Sequence, residues 1–293
     1  MNNIICFLTL RPSILFYNFC KKLQRDNYDI YICIDDNSYN IPNTDDSIKI
    51  IKIDNQTCID AGFKNTVLYF QNKACSRDKA LYYFCKNNID YKYIWFIEED
   101  VFLPHANIII DLDNKYPISD LLCREFRDID LDTWNNYNNL TKTIINKIPY
   151  RNFKICNQKD YPYAKLVKEE NIGKKYFVGM VCVIRLSKTL MDIIYKYANE
   201  KNTLFIDEVL FSTLAYQNNL SIIKPIEFNT ILFNKNWDKN DINNIDYLYH
   251  PVKNIYQQYA FRNKINPKFK KEQYVQSTIE PNKINKTIIY YRK

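Results

Sequence analysis

Three consecutive acids, Glu98-Glu99-Asp100, directly follow the apolar run Tyr93-Ile94-Trp95-Phe96-Ile97. Carboxylates crowded in this way repel one another unless a cation joins them. On extended backbone, side chains two apart point the same way. Glu98 and Asp100 therefore share a side, and Glu99 points elsewhere. The pair suits a divalent ion held by one or two carboxylates plus phosphate oxygens, the coordination that Mg2+ and Mn2+ prefer. The plain alternative is an acidic loop after a strand. Further groups with chemical potential are Asp35-Asp36, the start Asp207-Glu208 of an apolar segment, and Tyr249-His250-Pro251-Val252-Lys253.

Composition removes several other chemistries. The 293 residues include 3 glycines and 2 histidines, where average usage of ~7% would give about 20 glycines. No Walker loop, dinucleotide fingerprint, kinase glycine loop or GxSxG elbow can be assembled. A three-histidine zinc site is impossible, and a Ser-His-Asp triad has only His105 and His250 to choose from. None of the nine cysteines forms a CxxC pair. Several sit in apolar runs, which fits buried thiols in a reducing compartment, the cytoplasm, rather than disulfides or a zinc ribbon. The seven-residue run IICFLTL lacks the basic flank of a signal peptide. No apolar stretch reaches the ~20 residues of a spanning helix. The excess of Asn, Ile, Lys and Tyr reads as AT-rich coding, as in some microbes, protists and large DNA viruses.

The elements that must position these groups alternate in type. Asn3–Leu10, Tyr28–Ile34, Ile48–Ile53 and Tyr93–Ile97 read as strands. Helical spacing follows Pro12-Ser13 and covers 73–88. This order predicts an α/β fold with a mostly parallel central sheet flanked by helices. Tyr176–Arg185 reads as one strong strand, followed by helices over 187–198 and 205–216 and strands around Pro225 within 222–233. The stretch 131–150, rich in Asn and Thr and containing Trp134, reads as an insertion or a mobile region. No repeat or linker divides the chain, so 1–261 is taken as one domain and 262–293 as a basic arm.

The helix start Arg77-Asp78-Lys79-Ala80-Leu81 followed by YIWFIEEDVFLP resembles the nucleotide-sugar half of GT-A-fold glycosyltransferases, with Glu98-x-Asp100 standing where that family carries DxD. The resemblance covers 3–104 and recurs more thinly over 177–214 and at His250. It implies a nucleotide-sugar half (1–104) and an acceptor half (105–261). It implies a nucleoside-diphosphate sugar donor, most simply UDP-linked, and a Mn2+ or Mg2+ cofactor held by Glu98, Asp100 and His250. Thr9, Arg11, Asp35, Asp36, Arg77, Lys79 and Glu99 fall to the nucleotide, with Lys253 on the diphosphate. On the acceptor side, Gly179 would let a sugar approach the backbone, and aromatic rings, Trp134 first among them, could stack on sugars. Asp207 or Glu208 would be the catalytic base in an inverting member, Asp207 slightly preferred by position. Each has a blander reading: a turn at Asp35-Asp36, a solvated helix face at Arg77 and Lys79, close packing at Gly179, and helix-dipole stabilisation at Asp207-Glu208.

The net charge is +8, and +7 of it falls in 262–293. A near-neutral body argues against a dedicated nucleic-acid surface. The arm could touch an anionic surface or close over an anionic ligand. The acceptor is left open as glycan, lipid or protein. The competing readings are a nucleotidyltransferase, which would usually carry a glycine-rich phosphate loop, and a basic-tailed module binding nucleic acid or membrane.

Overall fold

The computed structural model describes residues 2–41, 46–65, 74–129 and 175–264. Four strands form the parallel half of a seven-stranded sheet: β1 (Asn2–Thr9), β2 (Tyr28–Ile34), β3 (Lys49–Ile51) and β4 (Tyr91–Glu98). Beyond β4 lie β8 (Val183–Ser187), β5 (Leu121–Leu122) and β9 (Ile222–Ile223), giving the order β3-β2-β1-β4-β8-β5-β9. β8 runs antiparallel to both of its neighbours, and the other pairings are parallel. The α/β fold with a mostly parallel central sheet is thus the one the alternating elements predict.

Strand alternation builds two cores. Ile4, Cys6 and Leu8 of β1 face one cluster and Ile5 and Phe7 the other. The first cluster takes in α3 (Ser76–Lys86), α5 (Lys188–Lys201) and α6 (Asp207–Gln217). The second takes in α1 (Ile14–Lys21) and α4 (Ile108–Lys115). β1, β2 and β4 are buried on both faces, which is why their sequences are continuous apolar runs. Side-chain caps start several helices. Ser13 accepts from the Phe16 amide and Ser187 from the Leu190 amide. α2 (Asn55–Asp60) is capped by Asp54 and ends near Gly62. Gly62 has φ +79°, and a Cβ there would lie 2.4 Å from the Ala198 carbonyl. Only glycine fits that turn against α5.

Three elements differ from the sequence-based expectation. Tyr176–Arg185 is not one strand. β7 (Tyr176–Val178) pairs with β6 (Arg127–Ile129) in a separate two-stranded sheet, and the chain then turns through 179–182 before β8 joins β4. Apolar character runs through the whole segment because both pieces are buried, so hydropathy hides the break. After Pro225 the chain forms a short 3-10 turn, Ile226–Phe228, instead of a strand. Arg262, where the basic stretch begins, is the last residue of α7 (Ile255–Arg262), a helix the periodicity reading omits. The 131–150 segment, Trp134 and residues 265–293 lie outside the described residues. Among the described residues, no helix is long and apolar enough to cross a membrane, and the eight cysteines are free thiols.

One buried polar network locks the sheet to α4. Asp113 accepts from Asn3 Nδ2 (2.8 Å), the Tyr28 hydroxyl (2.6 Å), Trp95 Nε1 (3.1 Å) and Arg185 NH1 (2.7 Å). Arg185 is 0% exposed and also donates to the Tyr116 and Ser119 carbonyls. Removing one partner of such a pair strands the other charge in the core. Asp113→Ala should therefore lower the unfolding free energy by about 3–5 kcal/mol, read as a shifted urea midpoint. A midpoint unchanged from the parent would show that the network carries no stability.

Candidate active site

The sheet order brings β1 between β2 and β4. Connections leave β1 toward β2 on one side, and β4 returns on the other. In open parallel sheets the crevice at such a reversal, at the carboxyl ends of the strands, is where ligands bind. Here that point is marked by a hydrogen bond. Thr9 Oγ1, the last residue of β1, donates to Glu99 Oε2 at 2.6 Å just past β4. The Glu99 amide donates to the Leu8 carbonyl (3.0 Å) and the Glu98 amide to the Cys182 carbonyl (2.8 Å).

Past Glu98 the chain turns, with the Val101 amide on the Glu98 carbonyl (2.9 Å). It then meets the 249–252 segment. Phe102 and Tyr249 exchange backbone hydrogen bonds at 2.7 and 3.1 Å, and the Val252 amide donates to the Asp100 carbonyl at 2.7 Å. These bonds deliver His250 to the two acids. The ligand atoms of Glu98, Asp100 and His250 all lie within 4.8 Å of one another. Asp100 and His250 are buried, Glu98 partly so. His250 Nδ1 lies 2.7 Å from the Leu232 carbonyl, to which it donates, and its Nε2 stands 3.4 Å from Asp100 Oδ1. A backbone carbonyl on one ring nitrogen fixes the other toward the ligand position, as in metal-bound histidines generally.

This donor set fits a divalent cation. Donors about 2.1 Å from one octahedral ion stand roughly 3–4 Å apart, so small side-chain movements close the three groups on it. Two carboxylate oxygens and one imidazole suit Mn2+ somewhat better than Mg2+. Burial alone would depress the His250 pKa. Hydrogen bonds to Asp100 and Cys182 outweigh it and push the value up to about 11.

Arg77, in the first turn of α3, ties this corner to α6. Its NH2 donates to Glu98 Oε1 (2.6 Å) and the Val181 carbonyl (2.9 Å), and its NH1 to Asp207 Oδ2 (2.5 Å). Asp207 also accepts from Asn65 Nδ2 (3.1 Å) and from the Glu208 amide (3.0 Å). Burial disfavours the Arg77 charge, but Asp207 and Glu98 raise its pKa above the ordinary value. Glu208, next along α6, is different. Among the described residues nothing donates to its carboxylate. Burial first, then the Asp207 charge, push its pKa up to about 7. Phe205, two residues before the helix, is held at φ 53°, a left-handed conformation that costs energy for a non-glycine residue.

The remaining predicted residues fall into three groups. Arg11 and Asp36 pair with each other (2.6 Å) at the rim after β1 and β2. Asp36 also accepts from Ser38, and that bond, then Arg11, hold its pKa low against burial. Lys79 is 0% exposed and points inward, donating to the Asp35 carbonyl (2.6 Å) and Asn37 Oδ1 (3.2 Å). Like Arg77, it is engaged by protein groups that organise the strand ends. Gly179 lies against α6, where a Cβ would come 2.6 Å from Ser212 Oγ and 2.9 Å from the Glu125 carbonyl. Close packing accounts for this glycine. Lys253 lies exposed on the loop after His250.

Sequence reasoning missed Asn65, the Leu232 carbonyl, and Gln257 and Gln258 of α7. Nothing in the sequence marks Asn65 among so many asparagines. The two glutamines follow Asn254, an N-cap that accepts from the Gln257 amide, so a capping signal was present.

No protein-family model matches the sequence, and no curated protein matches it. Among solved structures, the galactosyltransferase LgtC in complex with donor and acceptor sugar analogs is similar at 9% identity and a TM-score of 0.40, covering 93% of this chain and 99% of that one. An active-site mutant of LgtC is similar at 9% identity and TM-score 0.39, covering 92% and 99%.

Glu208 generates a pH prediction. Its ordinary pKa of 4.5 rises to about 7 in the fold. Between those values the native state holds more protons than the unfolded chain, so stability falls as pH rises through the window. Asp78, raised by burial from 3.8 to about 7, adds a decline of the same sign. Glu208→Gln should lose less stability than the parent between pH 5 and pH 7, measured as denaturant midpoints in EDTA. Equal declines would mean that Glu208 ionises normally.

Proposed function

We propose that the protein is a metal-dependent glycosyltransferase that moves a sugar from a nucleoside-diphosphate sugar, most simply a UDP-sugar, to an acceptor hydroxyl of a glycan, lipid or protein. The observation that carries this reading is the clustering of Glu98, Asp100 and His250 at the carboxyl end of β4, beside the reversal in strand order. Glu98 and Asp100 were paired by spacing alone; His250 comes from a segment 150 residues away, and backbone bonds hold it there.

In this reading Glu98, Asp100 and His250 would hold Mn2+ or Mg2+. The ion would act as a Lewis acid on the departing diphosphate. Lys253, on the same loop as His250, adds positive charge for the diphosphate oxygens. Thr9, Glu99, Asp35 and Asp36 edge the strand ends where the nucleoside would lie, and the Arg11–Asp36 pair frames that rim. Arg77 orients Glu98 and Asp207 and screens their mutual repulsion. A sugar hydroxyl is a weak nucleophile at neutral pH, and a carboxylate within reach assists it most when its pKa lies near the working pH. Glu208 meets that condition, and Asp207 is occupied by Arg77 and Asn65. Glu208 is therefore the better candidate base, reversing the slight preference for Asp207 drawn from position in the sequence.

The reading is tested by turnover of nucleoside-diphosphate sugars with and without Mn2+. Asp100→Asn should abolish Mn2+-dependent turnover while the protein stays folded; unaltered turnover would remove the metal assignment. Glu208→Gln should lower kcat by about 10²-fold with a melting temperature at or above the parent's. Asp207→Asn should lower the melting temperature as well, because it removes one of the two carboxylates that pair with the buried Arg77. Parent-like kcat in Glu208→Gln would remove its role as base.

A further inference from the structure

The segments bearing the three candidate ligands are tied together from behind by one side chain. Gln258 of α7 is 0% exposed. Its Nε2 donates to the Glu99 carbonyl at 2.8 Å and to the Val252 carbonyl at 2.9 Å. The first carbonyl lies between Glu98 and Asp100, and the second lies two residues past His250. One amide group thus spans the acidic turn and the histidine loop.

The amide is itself held. Arg262, one helical turn on, donates from NH2 to Gln258 Oε1 (2.9 Å) and from Nε to the Leu103 carbonyl (2.8 Å). Its guanidinium lies 3.4 Å from the centre of the Phe19 ring and 5.1 Å from that of Phe102. A neighbouring contact repeats the pattern. Gln257 Nε2 donates to the Trp237 carbonyl (2.9 Å), and Trp237 Nε1 donates to the His250 carbonyl (3.0 Å). A small apolar cluster of Phe102, Tyr249, Val252 and Phe261 excludes water around these bonds.

We propose that Gln258, held by Arg262, is a positioning residue that sets the spacing between the Glu98–Asp100 turn and His250, and hence the affinity of the site for a divalent cation. The proposal rests on the metal-site reading above. A metal site binds tightly only when the groups behind its ligands hold them in place; removing such a partner typically costs 10–100-fold in affinity. An amide suits this task because both of its N–H groups can face carbonyls at once. A glutamate there would turn acceptors toward acceptors.

Mn2+ titration of the full chain, followed by loss of the free-ion electron paramagnetic resonance signal, tests this. Gln258→Met keeps the volume and removes both donors. It should weaken Mn2+ binding at least tenfold at a temperature where the variant is folded. Leu190→Ala, a cavity in the opposite core, should lower the melting temperature yet keep the affinity within twofold. Arg262→Met should weaken binding as well, and the double variant should be no worse than Gln258→Met alone, because the two act through one contact. Binding within threefold of the parent in both single variants would overturn the proposal while leaving the metal site standing. If Gln258→Met does not fold, Arg262→Met decides by the same threshold. A parent that binds no Mn2+ would end the metal reading and this inference with it.

Discussion

Negative charge packed against the end of a buried strand is the constraint on which the site depends. Glu98, Asp100, Asp207 and Glu208 gather where water is scarce, and like charges there cannot all ionise without compensation. The protein answers in two ways. Arg77 is shared between Glu98 and Asp207 and receives a backbone carbonyl besides. His250 is set against Asp100. Among the described residues no cation pairs with Glu208, and burial pushes its proton affinity toward neutrality. One charge problem thus yields a cation-ready corner, a fixed carboxylate and a poised one.

The fold makes that arrangement possible. A parallel sheet covered on both faces brings the ends of β1, β2 and β4 to one rim. The antiparallel β8 then carries the chain back past β4. The turn before it, 179–182, lends carbonyls to Glu98 and Arg77. Two helices approach from separate parts of the chain. α6 brings Asp207 and Glu208 by packing on Gly179, and Gln258 of α7 bonds the Glu99 and Val252 carbonyls. Burial that stabilises the sheet also excludes water from the site, so stability and electrostatics have the same origin.

Much of this was legible in the sequence. Continuous apolar runs named β1, β2 and β4, but the period-2 rule stops at Glu98: the chain turns there, with the Val101 amide on the Glu98 carbonyl, and it is that turn, not extended backbone, that gathers Glu98 and Asp100. The same run of apolar residues concealed the break between β7 and β8, because hydropathy reports burial and not which sheet a strand joins. The inward turn of Arg77 and Lys79 was illegible for a related reason. Charged residues at a helix start usually face water. Here Asp207, Glu98 and the Asp35 carbonyl, from distant positions in the sequence, give those cations partners in the interior. Asp113 and Arg185 were hidden likewise, with nothing local to mark them as partners until the fold pairs them. Long-range partnership is the information that a local pattern does not hold.

The shortage of glycine explains how the strand ends are organised. Sites for phosphorylated ligands often use glycine-rich loops, whose bare backbone amides approach the ligand. With 3 glycines in 293 residues, this chain turns to side-chain amides. Asn37 Nδ2 holds the Ile53 carbonyl, Asn65 holds Asp207, and Gln257 and Gln258 hold carbonyls around His250. Each satisfies a backbone or carboxylate acceptor that irregular segments leave unpaired by a sheet or helix. A side-chain amide reaches several ångströms from its own backbone, so residues far apart in sequence can brace a turn that glycine would only permit to bend. The abundance of asparagine therefore has a structural use whatever its genomic origin.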